Sequence, residues 1–158
     1  MKSRVLAVLA FAGLIIVAAS AAKRPEFAGS WEFNTTKSKN IGMMVQVKMT
    51  QTIQQTDSLL DVLSHSTFQG SDQDMKTHYD LTGKPVANES PMAGPTETVT
   101  KWDGEKLVTT WTSQSAVAGG EKVVRTETRS LSADGNTMTL ESVRGSNPPV
   151  VMVFDKKR

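Results

Sequence analysis

From Met43 nearly to its end, the chain alternates apolar and polar side chains with a period of two, and that period confines it to β-structure. Met43, Val45, Val47, Met49 and Ile53 alternate with Met44, Gln46, Lys48, Thr50 and Thr52. Leu60, Val62 and Phe68 then alternate with Asp61, Leu63 and His65, and Met75, Thr77, Tyr79 and Leu81 with Lys76, His78 and Asp80. The same pattern predicts strands over 96–102, 105–115, 122–131, 137–144 and 150–155. Turn residues punctuate them, among them two Asp-Gly steps, Asp103-Gly104 and Asp134-Gly135, whose left-handed geometry joins antiparallel neighbours. No segment beyond the first twenty-odd residues carries a helical period. Sequential strands with short turns predict an all-β, up-and-down antiparallel barrel of about eight to ten strands, since closure removes exposed edges. The stretch from Val86 to Pro95 is the least regular, and reads as a lid, a rim loop or a short extra strand.

Strand parity predicts what faces inward. The Asp103-Gly104 turn puts Trp102, Leu107 and Trp111 on one face with Thr98, Thr100 and Thr109, taken as the interior. In 122–131 the uncharged row Val124, Thr126, Thr128 is expected inside, because Arg125, Glu127 and Arg129 are costly to bury. Met138, Leu140, Ser142 and Arg144 form the next inner row. So many inward hydroxyls, each needing a partner, predict internal water or a ligand; a bulge that shifts the register would instead turn some outward. Trp102, Trp111, Tyr79, Phe68, Met49 and Leu107 are the expected ligand-lining residues, with ordinary core packing as the alternative.

At the start, Lys2 and Arg4 precede a continuous apolar run from Val5 to Ala18 and an Ala19-Ser20-Ala21 cleavage site, the pattern of a removable secretory signal over 1–21. The domain is then 22–158; retention of the segment as an anchor is the alternative. Removal leaves no membrane-inserted segment and points to a secreted or periplasmic protein. The chain has no cysteine, so neither a lipid-anchored lipoprotein nor thiol chemistry is available. Of 18 Lys and Arg against 16 Asp and Glu, Lys2 and Arg4 leave with the signal. The balance is then even, with no clustered basic patch of the kind nucleic acid requires.

The mature part opens on Phe27-Ala28-Gly29-Ser30-Trp31, where Gly29 and Trp31 share one strand face. This Gly-x-Trp step at the head of an up-and-down barrel resembles the start of the lipocalin and fatty-acid-binding-protein superfamily, the calycins. The resemblance implies that Gly29 and Trp31 close one barrel end and that a basic side chain from a late strand crosses the indole, Arg144 first and Lys156 as fallback. Gly29-Ser30-Trp31-Glu32-Phe33-Asn34, Tyr79-Asp80-Leu81-Thr82-Gly83-Lys84-Pro85 and Lys101-Trp102-Asp103-Gly104 further resemble small secreted bacterial lipocalin-like proteins without an assigned activity. Residues 35–42 are too few for the two-helix lid of fatty-acid-binding proteins, and Thr77-His78-Tyr79-Asp80 does not match the second lipocalin motif.

Motifs of catalysis are absent. His65 and His78 fall on outward faces and, with Asp61, make a poor metal set. No Gly-x-Ser-x-Gly elbow frames a nucleophile, and Gly83-Lys84 lacks a phosphate-binding loop. Glu105, beside Trp102 at an expected barrel mouth, is the one candidate general acid, and exposure is its simpler reading. Asn34-Thr35-Thr36 and Asn88-Glu89-Ser90 fit glycosylation acceptors. The expected function is therefore non-catalytic: a small amphipathic or apolar ligand held in the lumen, with no cofactor or metal. An envelope interaction module with a filled barrel is the alternative, and an isomerase-like lumen enzyme a weaker one.

Overall fold

The computed structural model describes residues 24–90, 94–114 and 120–158; the expected signal segment 1–21 lies outside them. Ten strands follow one another: β1 Gly29–Phe33, β2 Lys48–Gln55, β3 Leu59–Phe68, β4 Ser71–Asp80, β5 Val86–Ser90, β6 Gly94–Asp103, β7 Lys106–Ser113, β8 Val123–Leu131, β9 Thr137–Val143 and β10 Val150–Lys156. All described pairings are antiparallel, in the order β4-β3-β2-β1-β10-β9-β8-β7-β6-β5. Chain neighbours are sheet neighbours except β4 and β5, and β1 also meets β10, with Trp31 opposite Lys156 and Phe33 opposite Phe154. The sheet is an up-and-down barrel with one seam, between β4 and β5.

Local chemistry explains where the strands begin and stop. The segment from Met43 is not strand at first: Gly42–Gln46 is a 3₁₀ helix, and β2 starts at Lys48. Asn40 and Gly42 both have positive φ, +56° and +53°, and turn the chain over the barrel end. A three-residue period then sets Ile41 and Met44 against the core and leaves Met43 and Val45 exposed, the reverse of the expected alternation. Between β3 and β4 the two-residue turn Gln69-Gly70 has positive φ at both positions, the geometry of a tight hairpin. Val86–Ser90, open between three readings in the sequence, is a strand.

Across the seam one side chain replaces a ladder. Asn88 of β5 accepts from the His78 N–H (2.9 Å) and donates from Nδ2 to the His78 carbonyl (2.8 Å), so its amide stands in for a backbone peptide. Nδ2 also donates to Thr98 Oγ1 (2.9 Å). Asn88 is buried and fully engaged, so as a glycosylation acceptor it is unavailable in the folded chain.

Candidate ligand-binding lumen

Exposure along the inner rows changes from one barrel end to the other. At the end carrying the β3–β4 and β9–β10 turns, Met49, Ser66, Phe68, Met75, Ser113 and Ser142 are half-buried. At the opposite end Leu60, Leu107, Met138 and Phe154 are almost wholly buried. Among the described residues the lower end is the more tightly closed; at the upper end Ile41 and Met44 of the β1–β2 connection pack against the core.

The seal is built on the opening segment. Trp31 is fully buried and donates from Nε1 to the Phe27 carbonyl (2.8 Å), while Phe27 stacks on Trp102 at 6.2 Å. Gln55 pins this segment through the Phe27 N–H (2.9 Å) and the Pro25 carbonyl (3.0 Å). Arg144 is exposed just past β9; the cation over the Trp31 ring is Lys156, 5.3 Å from its centroid. Cross-strand pairing decides this, because Lys156 lies directly opposite Trp31 in the β1–β10 ladder. Gly29 serves the same contact: its φ is +129°, and a Cβ there would meet Lys156 Cε at 3.3 Å.

β8 reverses the expected parity. Arg125, Glu127 and Arg129 face inward, whereas Thr126 is exposed, Thr128 half-buried, and Val124 half-exposed outside. The rule against buried charge fails here because the three side chains are buried together, as opposite charges and against aromatic rings. Glu127 lies 3.9 Å from both Arg125 Nη2 and Arg129 Nη2. The Arg125 guanidinium sits 4.6 Å over the Trp111 ring and that of Arg129 5.9 Å over Tyr79, with Arg129 Nη1 donating to Met138 Sδ (3.3 Å). Tyr79 meets Trp111 edge-on at 6.0 Å. Burial, reinforced by the Glu127 charge and opposed by the two arginines, pushes the Tyr79 phenol well above its ordinary pKa, so it stays protonated.

Within this row solvent access falls abruptly: the side chain of Arg125 is 37% exposed, that of Glu127 7% and that of Arg129 5%. Water reaches Arg125 and goes no further. Arg125 Nε, Trp111 Nε1 and Gln51 Oε1 are buried with no hydrogen-bond partner. Two arginines against one glutamate leave one positive charge in excess. Two of these atoms, Arg125 Nε and Trp111 Nε1, are donors beside a net positive charge and suit an acceptor-rich, anionic group; Gln51 Oε1 is an acceptor, and Trp102 Nε1 toward the sealed end is likewise without a partner.

Many inward hydroxyls, by contrast, are satisfied within the protein. Thr100 pairs with Thr109 (2.9 Å), Thr98 donates to the Val86 carbonyl (3.2 Å), Thr96 to the Asn88 carbonyl (3.1 Å), and Gln51 Nε2 donates to Ser64 Oγ (3.2 Å). They do not call for internal water.

The six residues expected to line a ligand are spread over the full height. Trp102 and Leu107 belong to the sealed end, as does the Tyr79 backbone, which pairs with Leu60; Trp111 pairs with Arg125 higher up, and Met49 and Phe68 are at the mouth. Trp102, stacked on Phe27, is therefore a neighbour of the Trp31 plug. Glu105 is exposed on the β6–β7 turn, at the sealed end, where it borders an open depression of about 310 Å³ with Pro25 and Leu131. A second depression, of about 280 Å³ beside Asn34 and Asp155, also lies away from the Arg125 row. His65 and His78 are on the outside, each 2.6 Å from a carboxylate, Asp74 and Asp61 respectively. Among the described residues no group of three or more His, Asp or Glu is placed to hold a metal.

No family model and no curated protein matches the chain in sequence. Solved structures do match in shape. Lipid binding protein 8 of Caenorhabditis elegans superposes with a TM-score of 0.65 at 14% identity, over 83% of this chain and 95% of that one. A Schistosoma mansoni fatty acid binding protein in complex with arachidonic acid gives 0.63 at 16% identity, over 88% and 100%. Fatty-acid-binding protein 1 of Echinococcus granulosus gives 0.63 at 15%, over 84% and 98%. The fold is the calycin fold. At these identities the likeness concerns architecture alone.

Proposed function

We propose that this chain is an exported, non-catalytic barrel that binds a small amphipathic ligand in the upper half of its lumen, with the ligand's polar group on Arg125 and Trp111 Nε1. The observation that carries this is the Arg125 row: water-accessible at Arg125, closed below it, and left with unpaired donors and one uncompensated positive charge. The half-buried Met49, Met75 and Phe68 above it supply an apolar wall. Structural neighbours described as lipid-binding and fatty-acid-binding proteins support the same reading. Placement among small secreted bacterial lipocalin-like proteins rests on the sequence strings, and export on residues 1–21.

Trp111 makes the site its own reporter. Titration of the folded protein with amphipathic carboxylates is expected to change tryptophan fluorescence, and Arg125→Gln to weaken binding about tenfold to a hundredfold, the worth of a hydrogen bond to a charged group. Unchanged affinity in that variant would remove Arg125 from the site. For export, N-terminal sequencing of protein recovered from its host should read from Ala22; recovery of an intact Met1 terminus in the membrane fraction would overturn it.

A further inference from the structure

The chain holds two Asp-Gly steps, Asp103-Gly104 and Asp134-Gly135, whose reactive atoms have different surroundings. In such a step the glycine nitrogen can close a five-membered ring on the aspartate Cγ, because the two are tethered close together and no following side chain hinders the approach. At Asp134 both partners are engaged. Oδ1 accepts from Ser132 Oγ (2.5 Å) and the Asn136 N–H (3.1 Å), Oδ2 from Asn136 Nδ2 (3.1 Å), and the Gly135 N–H donates to the Ser132 carbonyl (2.9 Å). The Ser132 hydroxyl, and Asn136 after it, hold the Asp134 carboxyl down to about 2, so the protonated form that can lose water is scarce. At Asp103 neither the carboxylate nor the Gly104 N–H has a hydrogen-bond or ion-pair partner among the described residues, and both residues are exposed. What opposes the ψ rotation that brings nitrogen to Cγ is the last rung of the β6–β7 ladder, Asp103 opposite Lys106.

We infer that Asp103 is a site of spontaneous isomerisation in the folded protein, and that the hydrogen bonds of the second turn protect Asp134 from the same reaction. The Gly104 nitrogen forms a bond to Asp103 Cγ, and the carboxyl hydroxyl leaves as water with the amide proton. Water then re-enters the cyclic imide at either carbonyl. Entry at the former main-chain carbonyl leaves Gly104 joined through the side-chain carboxyl, an isoaspartyl residue of unchanged mass whose main chain is one methylene longer. That methylene falls in a two-residue turn, where loop length sets strand register. It also adjoins Trp102, whose ring stacks on Phe27, so the product loosens the sealed end. None of this depends on lumen binding.

Incubation of the folded protein near body temperature and neutral pH for several weeks, with peptide mapping for isoaspartate at unchanged mass, tests it. Each hydrogen bond that must open slows the reaction, so isoaspartate at Asp103 should exceed that at Asp134 by about tenfold or more. In urea, where both turns are undone, the two rates should converge. Ser132→Ala with Asn136→Ala should raise isoaspartate at Asp134 severalfold and leave Asp103 as it was. If that double variant does not fold, the folded and urea arms of the wild type decide alone. Equal accumulation at the two steps in the folded protein overturns the inference. So does a preference for Asp103 that persists in urea, which would assign it to neighbouring sequence, or an Asp103 that reacts in urea and not in the fold.

Discussion

Gly29 shows how one position carries two demands. Its backbone sits at a φ that side chains rarely adopt, and its missing Cβ is the passage by which Lys156 reaches Trp31. Gly29→Ala should cost roughly 1–3 kcal/mol in urea denaturation, from strain in the backbone and displacement of the lysine. Asn88 is the counterpart at the seam. Asn88→Ala leaves the His78 N–H and C=O without their partner, a loss of about 1–3 kcal/mol that should appear as faster amide exchange at His78 than at its neighbours. The Gly-x-Trp step was legible because a glycine beside a tryptophan at a strand start is a compositional signal. The role of Asn88 was not, because a side chain that imitates a peptide group leaves no period. For Arg125, Glu127 and Arg129 a sign did exist: Leu131, partly buried against the core at the end of β8, shares their parity and faces Met138 across the hairpin. Weighing burial cost residue by residue hid it, because the cost of three alternating charges falls when they are buried together.

At the scale of elements, β4 is held unequally. Along one edge it has a ten-residue ladder to β3, reinforced outside by His65–Asp74 and His78–Asp61; along the other its described contact is the Asn88 bridge at a single residue. The hydrogen bond to Asp74 raises the His65 pKa above its ordinary 6.5. A raised folded-state pKa means that the clip's stabilisation is complete below the unfolded value and is lost as pH rises through the folded one. An NMR titration should therefore place the His65 midpoint above 6.5, and Asp74→Asn should bring it down. Most strands were readable from period and turn residues. The 3₁₀ helix Gly42–Gln46 escaped because five residues fit periods of two and three equally well, and β5 because Pro and Gly at its flanks resemble loop.

For the whole molecule, the fall in exposure along β8 from Arg125 to Glu127 divides stability from binding. Glu127 sits between two guanidinium groups below the water line, and Glu127→Ala, which leaves both charges uncompensated, should cost about 3–5 kcal/mol in thermal or urea unfolding. Arg125 stands at the water line, so Arg125→Gln should change stability by less than about 1 kcal/mol while weakening ligand. Comparable losses of stability in the two variants would contradict that division.

The seam has a last consequence. Because β1 and β10 are paired side by side, with the Lys157 N–H on the Ser30 carbonyl (2.8 Å), the beginning and end of the barrel meet at its sealed floor. Between β4 and β5 no ladder exists to be cut. A circular permutant that joins β10 to β1 through a short linker and begins at β5 would run its ten strands in strict spatial order, from one lip of the seam to the other. Every strand pair in it would be a hairpin, and the long loop that the natural connectivity must close to bring β1 to β10 would be gone. Such a chain should refold faster than the natural one.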